Sequence, residues 1–381
     1  MTRTRHSRRR GGGRWAAPLA LSGALAAVAV TVTLVAVVDG GASGDAFAEE
    51  TSVPAKRTFT LAWVGDTMLG RDGAHPPDGG RVLFEQVRPW LRSADLTLGN
   101  LEGVLTGQGS SKCGGPNTRT CFAFRAPPSN AKALRWAGFD AMNLANNHSL
   151  DYGPGGLAET VQALDENKIA SAGQPGQITR LQAGGVTVAL IGLAPYPWVT
   201  NSLDLVGAAE LTRAAAAGSD VVVAMVHAGA EGSDQTHTPV GVEMAFGENR
   251  GDTRLLAHTL IDAGADLVLG SGPHVIRGVE RYQGKLIAYS LGNFAGWHNF
   301  AGSAVADQTG VLRLRVRSDG RVLGGRWLSA EISGPGVPAP QKSRISAQLA
   351  RSVSYSDFGI GAWPIDVRGR LSGWKDPLPV G

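Results

Sequence analysis

From Phe59 onward the chain is a succession of short apolar, β-branched runs, several of them separated by helical patterns. The runs are FTLAWVG (59–65), DLTLGN (95–100), FDAMNLA (139–145), VTVALIGL (186–193), DVVVAMVH (220–227), ADLVLG (265–270) and KLIAYSLG (285–292). Helical periodicity lies between them at 154–167, 207–217 and 252–263. Strand–helix alternation of this kind predicts an α/β fold with a substantially parallel or mixed sheet. Two later runs, VLRLRVR (311–317) and VLGGRWLSAEI (322–332), have no helix between them and predict an antiparallel hairpin around Asp319-Gly320. After Ile332 comes the Pro/Gly-rich stretch GPGVPAP, then a short helix expected at 343–353. Residues 333–381 read as a turn-rich extension of a domain spanning 58–332.

The N-terminus has a different character. Arg3, Arg5, Arg8, Arg9, Arg10 and Arg14 give a basic tail (1–14) with no acidic residue. Setting those six positives aside turns the formal net charge from +4 to −2, so the body is near neutral and nucleic-acid binding is not expected. Residues 15–38 contain no charge and are rich in Ala, Val and Leu. A helix of that length rises about 36 Å, enough to cross a membrane. Arginines before it and Asp39 and Asp45 after it predict a cytoplasmic N-terminus and an exported body. The alternative is a secretory signal cleaved near Ala46-Phe47-Ala48. Residues 39–57 read as a linker. Export permits a disulfide between Cys113 and Cys121, the chain's only cysteines, which bracket a Gly-rich loop.

The positions of the polar residues carry the functional signal. The first run ends in Gly65-Asp66 and the second in Asn100-Leu101-Glu102. The third ends in Asn146-Asn147-His148, with Asp151 beyond, and the fifth in His227, with Glu231 next. The sixth leads into Gly-Ser-Gly-Pro-His274 and the seventh into Gly292-Asn293. Ligands of α/β sheets bind beyond the carboxyl ends of the strands. Carboxylate, amide and imidazole groups converging there suit Mn, Zn or Fe rather than a soft-metal site. Arg71, five residues past Asp66, is a candidate to hold an anionic substrate by a bidentate fork. Asp151 either orients His148 or caps the helix that begins near Pro154.

Together GDTMLGR (65–71), NLEG (100–103), NLANNHSLDYGPGG (143–156), HAGAE (227–231) and the long block 260–294 resemble the poly-γ-glutamate capsule-synthesis family of the CapA type. The resemblance spans roughly 58–332 and implies a calcineurin-like metallophosphatase fold, a mixed-sheet α/β/β/α sandwich, with one or two divalent metal ions. Asp66 resembles that fold's first metal-binding aspartate, although Met68 stands where ordinary phosphoesterases carry a histidine. Glu102 takes the place of a bridging aspartate. Asn147 matches a metal-binding asparagine and His148 the neighbouring catalytic histidine, while His227 and His274 match metal-binding histidines. Gly272 stands where the family usually carries a further histidine, so one metal subsite lacks an imidazole, and Glu231 or His298 is a candidate to compensate.

The resemblance, joined to the export read from 15–38, implies a membrane-held, extracytoplasmic metal-dependent hydrolase or transferase. Its substrate would be an anionic capsule or envelope polymer or a phosphoester, with capsule synthase subunits as partners. The alternative is a polymer-binding or export component without turnover.

Overall fold

Alternating side chains along the central strands decide the layering. The computed structural model describes residues 56–373 apart from 116, 119–120 and 300–302. The apolar segment 15–38, the basic tail and most of the linker lie outside the described residues. Among the described residues no helix is long and apolar enough to cross a membrane.

In the strand Thr58–Met68, Leu61 and Trp63 point to one apolar cluster and Ala62 and Val64 to another. In the strand Val186–Leu193, Val188 and Leu190 join the first of these clusters, while Ala189 and Ile191 face a third. A period of two with both faces buried requires cover on both sides of each sheet. The outcome is four layers. Two sheets share the first cluster, which also takes Val223 and Met225 from Val221–His227 and Leu267 and Leu269 from Leu267–Ser271. Leu134 and Leu164 from helices, with Phe84 from the turn after Leu83, cover the outer face of the first sheet. Helices Leu205–Ala216 and Thr253–Asp262 cover that of the second.

The first sheet runs Val337–Pro340, Val322–Ser333, Gln308–Arg317, Thr58–Met68, Leu96–Leu101, Ala141–Asn143 and Ala170–Ala172. Its last four strands are mutually parallel, and Gln308–Arg317 and Val322–Ser333 form the expected hairpin. The second sheet runs Val279–Tyr282, Lys285–Ala288, Leu267–Ser271, Val221–His227, Val186–Leu193 and Thr179–Ala183, parallel except at its two edges. The run read as one strand over 285–292 is divided. Lys285–Ala288 stays in the second sheet, whereas Asn293–Gly296 crosses to pair with Thr58–Met68 in the first. Gly292, at φ 71°, makes the crossing. Its carbonyl accepts from the Asp66 N–H at 3.0 Å, and a Cβ on Gly65 would lie only 1.8 Å from that oxygen. Glycine at 65 and 292 lets the two sheets approach at the place where the polar strand ends meet.

The segment after Ile332 is built into this body. Val337–Pro340 extends the first sheet, helix Ile345–Phe358 lays Ala347 and Ala350 on the shared core, and Trp363 is buried there too. Ser354 accepts from the Val279 N–H at 2.7 Å, tying that helix to the edge of the second sheet.

Trp63 fills the space between the sheets, and its indole N–H donates to the Gly270 carbonyl of the opposite sheet at 3.3 Å. Trp63→Ala is expected to cost about 3–5 kcal/mol in urea unfolding. A loss under about 1 kcal/mol would mean that the sheets do not depend on this contact.

Candidate metal centre

Strand register delivers the site. Asp66 pairs with Asn100 and Asn100 with Asn143 across the first sheet, while His227 pairs with Ser271 in the second. Asn100 Nδ2 donates to Asp66 Oδ1 at 2.8 Å, and its Oδ1 accepts from Asn143 at 3.0 Å and Asn146 at 3.3 Å. Asn146 also takes the His148 N–H on its Oδ1 at 3.0 Å, so this amide ladder fixes the loop that presents Asn147 and His148. The second sheet brings His227 and His274. The Gly229–Glu243 segment beyond His227 is held by Arg277, which is buried and pairs with both Glu243 carboxylate oxygens at 2.7 and 3.0 Å.

The acidic and imidazole groups meet around Glu102. Its Oε1 lies 3.4 Å from His274 Nε2 and 3.8 Å from both His227 Nε2 and His148 Nε2. Asp66 lies 3.2 Å from His274 Nδ1 and 3.5 Å from His227 Nδ1. One ligand atom each from Asp66, Glu102 and His274 falls within 4.8 Å of the others. Glu231 adds a carboxylate 3.7 Å from His274 and is ion-paired with Arg250 at 2.6 Å.

Whether these residues fit a divalent cation is tested by what they lack. Both Glu102 carboxylate oxygens, Asn147 Oδ1 and His227 Nε2 are buried without a hydrogen-bond partner. Buried polar atoms are ordinarily satisfied. Here the orphans are carboxylate, amide and imidazole acceptors gathered in one place, a donor set that suits a Mn-, Zn- or Fe-type ion. The residues present fit such an ion.

Electrostatics agree. Burial works against ionising Asp66, yet hydrogen bonds and charges from His227 and His274 hold it well below the usual carboxylate range. Glu102 goes the other way: burial, reinforced by Asp66, Glu231 and Asp151, pushes it well above that range. Burial opposes charge on His274, but Glu102, Asp66 and Glu231 raise it well above an ordinary histidine. For His148 burial prevails over Asp151 and lowers it.

Gly272 shows why a histidine is not simply missing there. Its φ is 109°, its N–H donates to Asp66 Oδ2 at 3.2 Å, and a Cβ would sit 3.0 Å from the Ala228 nitrogen. The backbone occupies the space and supports the carboxylate. His274 itself holds a left-handed φ of 61°, a strain of the kind found at functional positions.

The remaining candidates are placed as follows. Asp151 contacts His148 Nδ1 at 2.8 Å, and helix Gly153–Glu166 starts after Tyr152 with no side-chain cap, so capping is not what Asp151 does. Arg71 does not reach the cluster. It lines a separate cavity of about 620 Å³ with Asp72, Ser110 and Ser111. The chain turns sharply after Gly70, where the Arg71 and Ala74 backbones pair, and so carries the side chain away. His298 packs against Trp297 and takes the Pro335 carbonyl on its own N–H, apart from the cluster. Cys113 and Cys121 form a disulfide. A cavity of about 450 Å³ opens beside the cluster, lined by Asn147, His148 and Glu231 and rimmed by Lys112, Trp198 and Phe246. Lys112, Asn100 and Asn146 had no assigned role in the sequence. Asn100 and Asn146 did stand at strand ends, but Lys112 carried no signal beyond its place before Cys113.

In the metal-free cluster Glu102 and His274 retain protons below their raised pKa values, and an incoming cation must expel them. Mn²⁺ titration calorimetry in buffers of different ionisation enthalpy is expected to show proton release, with affinity weakening as pH falls. Binding without proton exchange and independent of pH would contradict this cluster as the site.

The sequence matches the family described as bacterial capsule synthesis protein PGA_cap over residues 60–296. Among curated relatives, the capsule biosynthesis protein CapA of Bacillus anthracis is 28% identical over 315 residues, covering 78% of this chain and 74% of that protein. The PGA biosynthesis protein CapA of Bacillus subtilis (strain 168) is 26% identical over 260 residues, covering 65% and 66%. Likeness to solved structures is slight. A putative 5'-nucleotidase from Staphylococcus aureus gives a TM-score of 0.40 at 14% identity, over 77% of this chain and 58% of that one. The purple acid phosphatase PPD1 of yellow lupin gives 0.35 at 12%, over 74% and 53%. Those values carry no chemistry across. The family match covers more than half of the sequence, and the chain belongs to the bacterial capsule synthesis protein family of the CapA type.

Proposed function

We propose that the protein is a metal-dependent hydrolase of calcineurin-like type, held at the outer face of the cell membrane by the 15–38 segment, acting on an ester linkage of an anionic capsule or envelope polymer. The observation that carries the reading is the group of orphaned acceptors on Glu102, Asn147 and His227 beside an open cavity. Capsule and polymer are the terms used for the relatives, and they enter here by kinship.

Asp66, Glu102, His227 and His274, with Asn147 at the cavity side, would hold the ion. When bound, a divalent cation lowers the pKa of water and polarises a phosphoryl or acyl oxygen. The chain's own residues do the rest. Asn100 and the Gly272 N–H fix the Asp66 carboxylate. Asp151 accepts from His148 Nδ1, which turns Nε2 toward Glu102; in the imidazolium form Nε2 carries the second proton and is the atom that passes it to the departing group. Glu231, restrained by Arg250, supplies negative charge where the family's further histidine is absent.

The absence of that imidazole at Gly272 favours a second reading, a polymer-binding or export component that holds its ligand without cleaving it.

Purified full-length protein is expected to hydrolyse bis(4-nitrophenyl) phosphate with Mn²⁺ and to lose the activity with EDTA. For an alkyl phosphodiester, whose departing alkoxide needs a proton, His148→Asn is expected to lower the rate on the order of 10²–10⁴-fold, and for the 4-nitrophenyl ester much less. Stoichiometric Mn²⁺ binding without turnover, together with polymer binding that survives chelation, would replace the hydrolase reading with the second one.

A further inference from the structure

The disulfide loop reaches the site from outside the metal cluster. Asp151 is fully buried, and its carboxylate is gripped on both sides by the residues flanking that loop. Lys112, immediately before Cys113, places its ammonium 2.7 Å from Asp151 Oδ1. Its own N–H donates to the Asp151 carbonyl at 2.8 Å. Phe124, three residues past Cys121, donates its N–H to Asp151 Oδ2 at 2.6 Å and rests its ring on His148 at 4.5 Å between centroids. The same Oδ2 meets His148 Nδ1 at 2.8 Å. Lys112 Nζ also donates to the Asn147 carbonyl at 3.2 Å.

We propose that the disulfide-joined flanks, Lys112-Cys113 on one side and Cys121 to Phe124 on the other, are the clamp that orients His148, with Lys112 as its positioning residue; this rests on the hydrolase reading, in which His148 moves the proton. The physical case has three parts. A carboxylate with no solvent contact needs a counter-charge, and removing one member of a buried pair leaves an uncompensated charge at high cost. Lys112 is the cation that meets Asp151. With one oxygen facing an ammonium and the other taking two N–H donors, the carboxylate plane cannot rotate. An ionised carboxylate only accepts, so His148 Nδ1 must carry its hydrogen and Nε2 is the atom presented to the cluster. The loop that supplies these contacts is short and contains Gly114 and Gly115, which would otherwise leave its flanks free to drift apart. The Cys113–Cys121 bond ties together the two flanks from which Lys112 and Phe124 reach Asp151. Lys112 thus acts on the chemistry without ligating the metal, and from a stretch of sequence that has none of the site's own residues.

The test uses the full-length protein loaded with Mn²⁺ and a series of phosphodiesters running from 4-nitrophenyl to alkyl leaving groups. A 4-nitrophenolate departs without a proton, whereas an alkoxide needs one. Lys112→Met is expected to slow the alkyl esters by on the order of 100-fold and the 4-nitrophenyl ester by less than about tenfold, steepening the leaving-group dependence. Lys112→Arg should restore most of the loss, and reduction of the disulfide or C113S/C121S should reproduce the steeper dependence. Mn²⁺ affinity by calorimetry should change little, because Lys112 meets Asn147 only at its backbone carbonyl and touches no ligating side-chain atom. A uniform loss across the series, or none, overturns the clamp. A second readout does not depend on turnover: ¹⁵N-histidine NMR of the metal-free protein at pH 8 should show His148 as a single Nδ1–H tautomer, giving way to a mixture in Lys112→Met. An unchanged tautomer would also overturn it. If the parent hydrolyses no ester while the tautomer still loosens, the hydrolase reading falls and the clamp stands.

Discussion

Glu102 is a carboxylate with no access to water and no hydrogen-bond donor on either oxygen. Ionising a group buried in that way costs several kcal/mol unless a cation compensates it, which is why Glu102 holds its proton more tightly than an ordinary carboxylate. Three imidazoles and a second carboxylate surround it, none close enough to bond it, and all aimed at the same small volume. A fold selected for stability alone has no reason to hold such a group unsatisfied. The cost becomes intelligible when the group is a metal ligand; burial and the neighbouring carboxylates push Glu102 up, while His227 and His274 hold Asp66 down against its burial.

Everything else in the architecture brings that volume into being. Two sheets with both faces buried must converge closely at their carboxyl edges, and glycine at 65 leaves room for the Gly292 carbonyl where the chain crosses between them. The chain crosses from one sheet to the other between Ala288 and Asn293, and that crossing carries Asn293 to within 2.9 Å of His274 Nδ1. Outer restraints then fix the ligands: the amide ladder Asn143–Asn100–Asp66, the buried Arg277–Glu243 pair behind His227, and the loop contacts on Asp151. Such supporting partners are what set ligand orientation and affinity in metal sites generally.

Much of this was legible in the sequence, and for a definable reason. Strand runs such as VTVALIGL announce themselves through local composition, and the polar residues that follow them through position along the chain. Both are one-dimensional properties. Contacts that depend on folding back were not legible. Arg71 sits near Asp66 in sequence, but the turn after Gly70 sends it to another cavity. Asp151 could be read as a helix cap or as the residue that orients His148, and only its contacts with His148, Phe124 and Lys112 distinguish the two. The hairpin Glu243–Ala245 with Glu248–Gly251 was invisible because its strands are short and polar. Its partner for Arg277 lies thirty-four residues away. The helix expected at 343–353 forms over Ile345–Phe358, but nothing local showed that it and Trp363 complete the core.

The most direct measurement is anomalous diffraction from a crystal grown with Mn²⁺. The account predicts an ion coordinated by Asp66, Glu102, His227 and His274, with Asn147 at its open side. An ion bound elsewhere, or Glu102 still without a partner at saturating Mn²⁺, would contradict it.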